Sequence, residues 1–358
     1  MPMSGIDENM KTPMLWPMTN SAKPVSMWLF ICCAMIFIMV AIGGVTRLTE
    51  SGLSITQWKP VTGVIPPMND TQWQAEFSEY QKIPEYQQLR KGMSLDEYKN
   101  IYFWEYLHRL WGRLIGIVFA LPLIYFWVRG KLHQDWKIPL AVLFFLGLNQ
   151  GFLGWYMVQS GLSVNVDVSQ YRLTAHLTLA AIIYAYMLWI ALHIKNFYKS
   201  APLVSAPKNL RYATILVFII FWLTFIMGGF MAGTNAGLLY ATFPKFNGDW
   251  IPGGMWILEP LYRNLFENPT TIHAVHRFVA TALVIGAIGL MLYSFFAKAS
   301  KKIKVPAIHV GVMALIQMAL GISAIARAVP ITLGTAHQAG AMVLLTFFLW
   351  LLFVIRKQ

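Results

Sequence analysis

Eight apolar runs, each long enough to cross a hydrocarbon layer, dictate most of what this chain can become. They fall near residues 25–45, 103–128, 138–157, 172–194, 210–230, 270–297, 304–325 and 335–355. A bilayer core of about 30 Å takes about 20 helical residues to span. Inside it every backbone N–H and C=O must find a partner within the protein, which leaves helices for runs of this length. With 57% hydrophobic and 12% charged residues over 358 positions, the chain reads as an all-α polytopic membrane protein. The first run has no evident cleavage site and is expected to persist as a helix. Residues 1–24 contain Asp7 and Glu8 and no Arg, unlike an Arg-rich, acid-poor mitochondrial transit peptide.

The formal charge of +13 would suit a nucleic-acid partner, but its placement argues against one. Alternate loops collect opposite charge balances. The N-terminal tail, 129–137, 195–211, 298–304 and the C-terminus are rich in Lys and Arg and hold only Asp7, Glu8 and Asp135 as acids. The loops at 46–102, 158–172, 231–269 and 326–334 are nearly balanced. Short basic loops mark the cytoplasmic side, so both termini are expected there, with the lipid bilayer as partner and no nucleic acid. Cys32 and Cys33 are adjacent inside the first run; they make no disulfide framework and read as small core residues.

Four histidines recur at one depth: His108, His176, His276 and His337. Each lies about one turn inside an even-numbered run, hence near the outer face. Neutral imidazole is a common metal and haem-iron ligand, and ionisable side chains inside a membrane are costly and usually functional. His133, His193 and His309 fall at cytoplasmic loops or helix ends and read as ordinary interfacial residues.

The chain also repeats itself. Ile42-Gly43-Gly44-Val45 at the end of run one matches Met227-Gly228-Gly229-Phe230 at the end of run five. Glu105 and the pair His108-Arg109 match His273 and His276-Arg277; Gln150 and Gly154 match Gln317 and Gly321; Thr174-Ala175-His176 matches Thr335-Ala336-His337. Four matches in one order predict two pseudo-symmetric four-helix bundles: 25–200, with the long outer loop 46–102, and 201–358. Both halves start on the same side, so the repeat is parallel, about an axis along the membrane normal. Cofactor sites in bundles are built from facing helices, which pairs His108 with His176 and His276 with His337.

Two imidazoles leave a bare zinc or copper ion short of ligands, whereas porphyrin iron lacks only its two axial ones. Gly112, Gly116, Ala280 and Gly340 follow the histidines and would admit a flat ring. Arg47, Arg109, Arg113, Arg277 and Arg327 lie near the outer face and would bind propionates. The halves differ at one position. Glu105 shares a helix face with His108, and His273 replaces it in the second half. Glu105 is the only acid inside a predicted span. It suits proton relay or stabilisation of a developing cation, which places chemistry in the first half and a permanent redox haem in the second. The outer loop 46–102 is expected to form a lid, with short interfacial helices around 70–80 and 94–102. The loop after run five has an interfacial character, carried by Phe243, Phe246, Trp250 and Trp256.

The stretches GGVTRLTESGLSI at 43–55, WKPVTGVIPP at 58–67, EYLHRLWGR at 105–113 and TAHL at 174–177 resemble haem A synthases of the mitochondrial and proteobacterial type, and the likeness runs from the first span to the last. It implies a haem-oxidising oxidoreductase of the bacterial inner membrane. Haem O would be converted to haem A for terminal oxidases by two hydroxylations of its C8 methyl group. It also implies substrate haem on His108 and His176, Glu105 as the essential acid, and haem b on His276 and His337. Delivery by a haem O synthase and an unidentified electron carrier would follow; a homo-oligomer stays open. Some relatives carry a cysteine pair in the first outer loop, absent here. Two alternatives stand beside this reading. An electron-transfer cytochrome b with two haems would place them at two depths. A repeat-built transporter would want broken helices at the midplane.

Overall fold

The computed structural model of the chain describes residues 21–60, 62–163, 166–197 and 207–356. The tail at 1–20 and the boundary between the expected bundles at 200/201 lie outside these residues. Eight helices are long and apolar enough to span a membrane: α1 (Ala22–Leu48), α4 (Leu95–Val128), α5 (Gln134–Gln159), α6 (Gln170–Asn196), α7 (Lys208–Gly233), α9 (Pro269–Phe296), α10 (Lys301–Ala326) and α11 (Ile331–Ile355). The protein is an all-α, multi-pass membrane protein. Among the described residues three short α-helices lie in the loops: α2 (Asp70–Tyr80), α3 (Pro84–Leu89) and α8 (Asn264–Glu267).

The largest departure from expectation is at α4. The separate interfacial helix expected near 94–102 is the start of α4 itself. Ser94 and Glu97 form a reciprocal capping box that starts the helix well before its apolar run, and nothing between Ser94 and the apolar residues breaks it. At 34 residues α4 is about 51 Å long, so its first turns stand clear of a bilayer core. His108 consequently lies more than three turns into its helix, and the other three histidines about two turns into theirs, because the caps lie outside the apolar runs. At α9, Pro269 opens the helix and the Asn268 side chain accepts from the Thr270 N–H.

Helix adjacencies repeat. In the first half α1 packs on α4 and α6, and α5 on α4 and α6; in the second, α7 packs on α9 and α11, and α10 on α9 and α11. Across the halves α1 meets α11, α7 meets α6, and α6 meets α11. One apolar core draws on all eight helices and runs through both halves. Most of it lies toward one end. Its residues come from the early turns of α1, α5, α7 and α10 (Leu29, Leu140, Phe221, Val310) and the late turns of α4, α6, α9 and α11 (Phe119, Ala191, Ala287, Phe348). That is the end away from the four histidines. Smaller apolar clusters pack toward the histidine end, one around Met227, Phe230 and Ile272 and another around Phe246, Met255 and Ala274.

Candidate functional site

Each of the four imidazoles sits deep among protein atoms yet keeps part of its surface accessible, as a group lining an internal space does. His108 and His176 lie within electrostatic range of one another, as do His276 and His337. Every ring rests on a glycine of the preceding spanning helix. A Cβ on Gly43 would stand 3.2 Å from His108 Nε2, and one on Gly154 3.0 Å from His176 Cε1. In the second half the figures are 3.4 Å for Gly228 to His276 Cε1 and 3.0 Å for Gly321 to His337 Cε1. The repeated Gly-Gly step has two jobs. Gly43 and Gly228 face a histidine of their own half, while Gly44 faces Gln338 and Gly229 faces Thr174 of the other half.

A second grip comes from the repeated glutamines. Gln150 donates to the backbone carbonyl of His176 at 3.0 Å and Gln317 to that of His337 at 2.6 Å. Gly340, expected to admit a flat ring, makes room for the Gln317 side chain instead.

The donor set fits porphyrin iron. Among the described residues no group of three or more His, Cys, Asp or Glu could hold a bare metal ion, whereas an iron with four pyrrole nitrogens needs only two further ligands, the number of these histidines in each half.

Glu105, 3% exposed, is fully engaged. Its Oε2 accepts from the Ser54 hydroxyl and the Ile55 N–H, both at 2.7 Å. Its Oε1 accepts from Arg109, at 3.1 Å from Nε and 2.6 Å from NH2. Arg109 goes on to donate to the carbonyls of Ile55 and Gln57. The pair thus ties the start of the first outer loop to α4. His273 and Arg277 do the same in the second half. His273 Nε2 accepts from Arg277 Nε at 2.8 Å, which leaves its Nδ1–H to donate to the Ala236 carbonyl at 2.7 Å. Arg277 donates to the carbonyls of Thr242 and Tyr240 and stacks over Phe246. A neutral imidazole here performs the tethering that a carboxylate performs in the first half.

Two of the other expected propionate cations are also engaged, Arg113 and Arg47. Arg113 donates to the carbonyls of Lys59 and Pro60. Arg47 bridges the halves, donating to the Ala232 carbonyl and Asn235 Oδ1 and lying 3.6 Å from Asp167. Arg327 is exposed at the end of α10. In the loop after α7, Phe246 is buried and Trp250 and Trp256 are exposed.

The first outer loop packs on an aromatic cluster rather than hanging free. Phe77, Tyr80, Tyr86, Tyr98 and Tyr102 are buried together, and α2 stands against α4. Between loop and helix lies a cavity of about 360 Å³ whose lining includes Lys59, Glu76, Tyr106, Arg109 and Arg113. Glu85 lies in α3 and accepts from Arg90 Nε at 3.1 Å. It is 4% exposed, and burial pushes its carboxyl up to about 7 from 4.5, against the opposing pull of Arg90 and with Glu50 and Glu105 adding to the rise. A raised folded value means that the stabilising contribution is complete below about 4.5 and is lost as pH climbs through about 7. Amide exchange in α2 and α3 should therefore slow as pH falls from about 8 to 5, after correction for the intrinsic rate. Glu85→Gln should abolish that dependence; an unchanged slope in the variant would assign the effect elsewhere.

Fold and histidine placement together define an all-α polytopic membrane protein with four glycine-seated imidazoles in its spanning helices. The family of cytochrome oxidase assembly proteins matches residues 26–349, and the chain belongs to that family. The heme A synthase of Rhodospirillum centenum is 45% identical to it over 348 residues, 96% of this chain and 92% of that protein. The heme A synthase of Nitrosomonas eutropha is 46% identical over 335 residues, 93% and 94% of the two chains. That of Nitrosospira multiformis is 44% identical over 337 residues, 94% of each.

Proposed function

We propose that this protein is a haem A synthase, which oxidises the C8 methyl group of haem O to a formyl group and so supplies haem A to terminal oxidases. The observation that carries the reading is the pair of imidazoles in each half, within electrostatic range and each seated on a glycine. The name borne by its relatives supports the same assignment.

In this reading His108 and His176 hold the substrate haem in the half 25–200, and His276 and His337 hold a haem b in the half 201–358. When bound, haem b supplies one-electron redox chemistry. The histidine end faces outward from the bacterial inner membrane, with both termini cytoplasmic. Haem O arrives from a haem O synthase, and a separate electron carrier completes the redox balance. Arg47, Arg109, Arg113 and Arg277 put positive charge at the outer end, where propionates would lie, even though their present hydrogen bonds go largely to loop carbonyls.

Glu105 is given an electrostatic role. Both oxygens already accept from donors, so taking a proton would mean surrendering one of those bonds, whereas steadying positive charge on a substrate near His108 requires no rearrangement. Glu105→Gln is expected to retain haem and to lower turnover by about 100-fold or more. Conversion of haem O at the normal rate would remove Glu105 from the chemistry. The activity itself is tested by extracting pigments from cells that make haem O and express this chain. New haem A is the expected product; haem O and protohaem alone would refute the assignment.

A further inference from the structure

The stretch WKPVTGVIPPM at 58–68 belongs to the first outer loop, yet the structure lays it along the flank of α4. Tyr98, Tyr106, Arg109 and Arg113 recur at helical spacing and form one stripe of that helix. Arg109 on this stripe is turned about 100° from its neighbour His108. The stripe serves the loop's carbonyls turn after turn. Tyr98 donates to the carbonyl of Ser54, Arg109 to those of Ile55 and Gln57, Arg113 to those of Lys59 and Pro60, and Tyr106 to that of Val64.

Other groups in the stretch are also neutralised or absent. Pro60, Pro66 and Pro67 carry no N–H that needs a partner, and the Gly63 N–H donates to the Lys59 carbonyl. Lys59, the one charged residue of 58–68, is paired with Glu76 at 2.7 Å. Irregular backbone is tolerated at membrane depth when protein groups satisfy it. A loop in water has no such requirement.

Depth can be read along α4. The Thr46 hydroxyl, close to the end of α1 at Leu48, donates to the Trp104 carbonyl, so the histidine end of α1 is level with Trp104. Arg113 lies about 13.5 Å further along α4, more than its side chain spans in reaching back. Lys59 and Pro60, which it holds, therefore lie inside the level at which α1 ends.

The outward side chains of the stretch are apolar. Ile65 is 70% and Met68 73% exposed, and Trp58 and Val64 are exposed beside them. On α4, Phe103 and Ile117 are also exposed. They neighbour Tyr106 and Arg113 at i, i+3 and i, i+4 spacing, so the apolar surface of the stretch continues that of a membrane-spanning helix. The character reverses at Asn69, which caps α2. Beyond it the exposed residues include Asp70, Thr71, Gln74 and Ser78.

We infer that residues 58–68 form a shallow re-entrant segment inserted into the bilayer leaflet at the histidine end, with Trp58, Val64, Ile65 and Met68 against the lipid and α4 supplying its hydrogen bonds. The partner of this surface is the lipid of that leaflet, and α2 stands beyond it in water. The segment anchors the first outer loop from the lipid side, as Glu105 and Arg109 anchor it from the protein side. The inference stands on fold, hydrogen bonding and exposure, and is independent of the haem reading.

The test uses the full chain reconstituted in phosphatidylcholine–phosphatidylglycerol vesicles, with a nitroxide on one introduced cysteine. Cys32 and Cys33 are buried and stay in place; the wild-type chain, carried through the same labelling, measures any signal they add. Ile65→Cys and Met68→Cys are compared with Ile117→Cys on α4 and Gln74→Cys on α2. Power saturation reads collision with molecular oxygen, which concentrates among acyl chains, and with a water-soluble nickel chelate. The oxygen-to-nickel ratio at 65 and 68 is expected to be several-fold above that at 74 and close to that at 117. A ratio at either position no higher than at 74 overturns the inference. Shielding from both collision partners also overturns it, because another protein surface would then cover the segment.

Discussion

Gly154→Val should cost the first half its haem while sparing the second, and Gly321→Val should do the reverse. A single Cβ at either position would already stand 3.0 Å from the Cε1 of the facing histidine, closer than ordinary van der Waals contact. The two methyl groups of valine would press further into the ring, which is attached to a neighbouring helix and cannot move with α5 or α10. Forcing added volume into such a contact typically costs about 1–3 kcal/mol, and the cheapest relief is rotation of the imidazole out of its seat. An iron ligand displaced in this way is lost. Haem content, measured as the pyridine haemochrome per chain, is expected to fall from about two to about one in each variant. The two losses should differ in kind: Gly154→Val should end conversion of haem O and retain the haem b spectrum, and Gly321→Val should lose that spectrum. Full haem content in both variants would show that the glycines do not seat the rings.

Arg109→Leu is expected to be among the most damaging changes outside the ligand set. Exposed Glu/Arg pairs one helical turn apart contribute only about 0.3–0.5 kcal/mol. This pair is different because Glu105 is 3% exposed, and Arg109 supplies two of the four hydrogen bonds to its carboxylate. Removing one partner of a buried pair strands the other charge, which typically costs about 3–5 kcal/mol. The same substitution releases the carbonyls of Ile55 and Gln57, so damage should spread into the first outer loop. Two readouts follow: a drop of that size in unfolding free energy in mixed micelles, and faster proteolysis across residues 51–68. The double change Glu105→Leu with Arg109→Leu should recover much of the stability but none of the turnover, since no buried charge is left unpaired. If Arg109→Leu costs less than about 1 kcal/mol, the pair is not the staple described here.

The eight spans were legible because a span is announced by the length of its own apolar run, a property of consecutive residues. The four histidines were legible because each falls at the same place in such a run, and the repeat became visible by comparing one half with the other. Legibility fails where a residue's role depends on its neighbours across the bundle. The five arginines near the outer end were expected to wait for propionates, and four of them bond loop or side-chain oxygens. His273 could be assigned no function from its spacing alone, and it proves to be the hinge-pin of the Arg277 tether. The capping box at Ser94 and Glu97 was readable in principle. It was obscured because polar residues before an apolar run look like loop.

Sequence by itself determined the number of spanning helices, the alternation of charge between their connecting loops, and the recurrence of Gly-Gly, Gln and His at matched places. Each of these follows from hydrophobic length, side-chain charge or direct comparison of two stretches. Only the tertiary structure decided which glycine receives which ring, that Glu105 and Arg109 fasten a loop, and that Gln150 and Gln317 each grip the backbone carbonyl of a histidine. Those outcomes depend on directional contacts of about 3 Å between helices far apart in the chain.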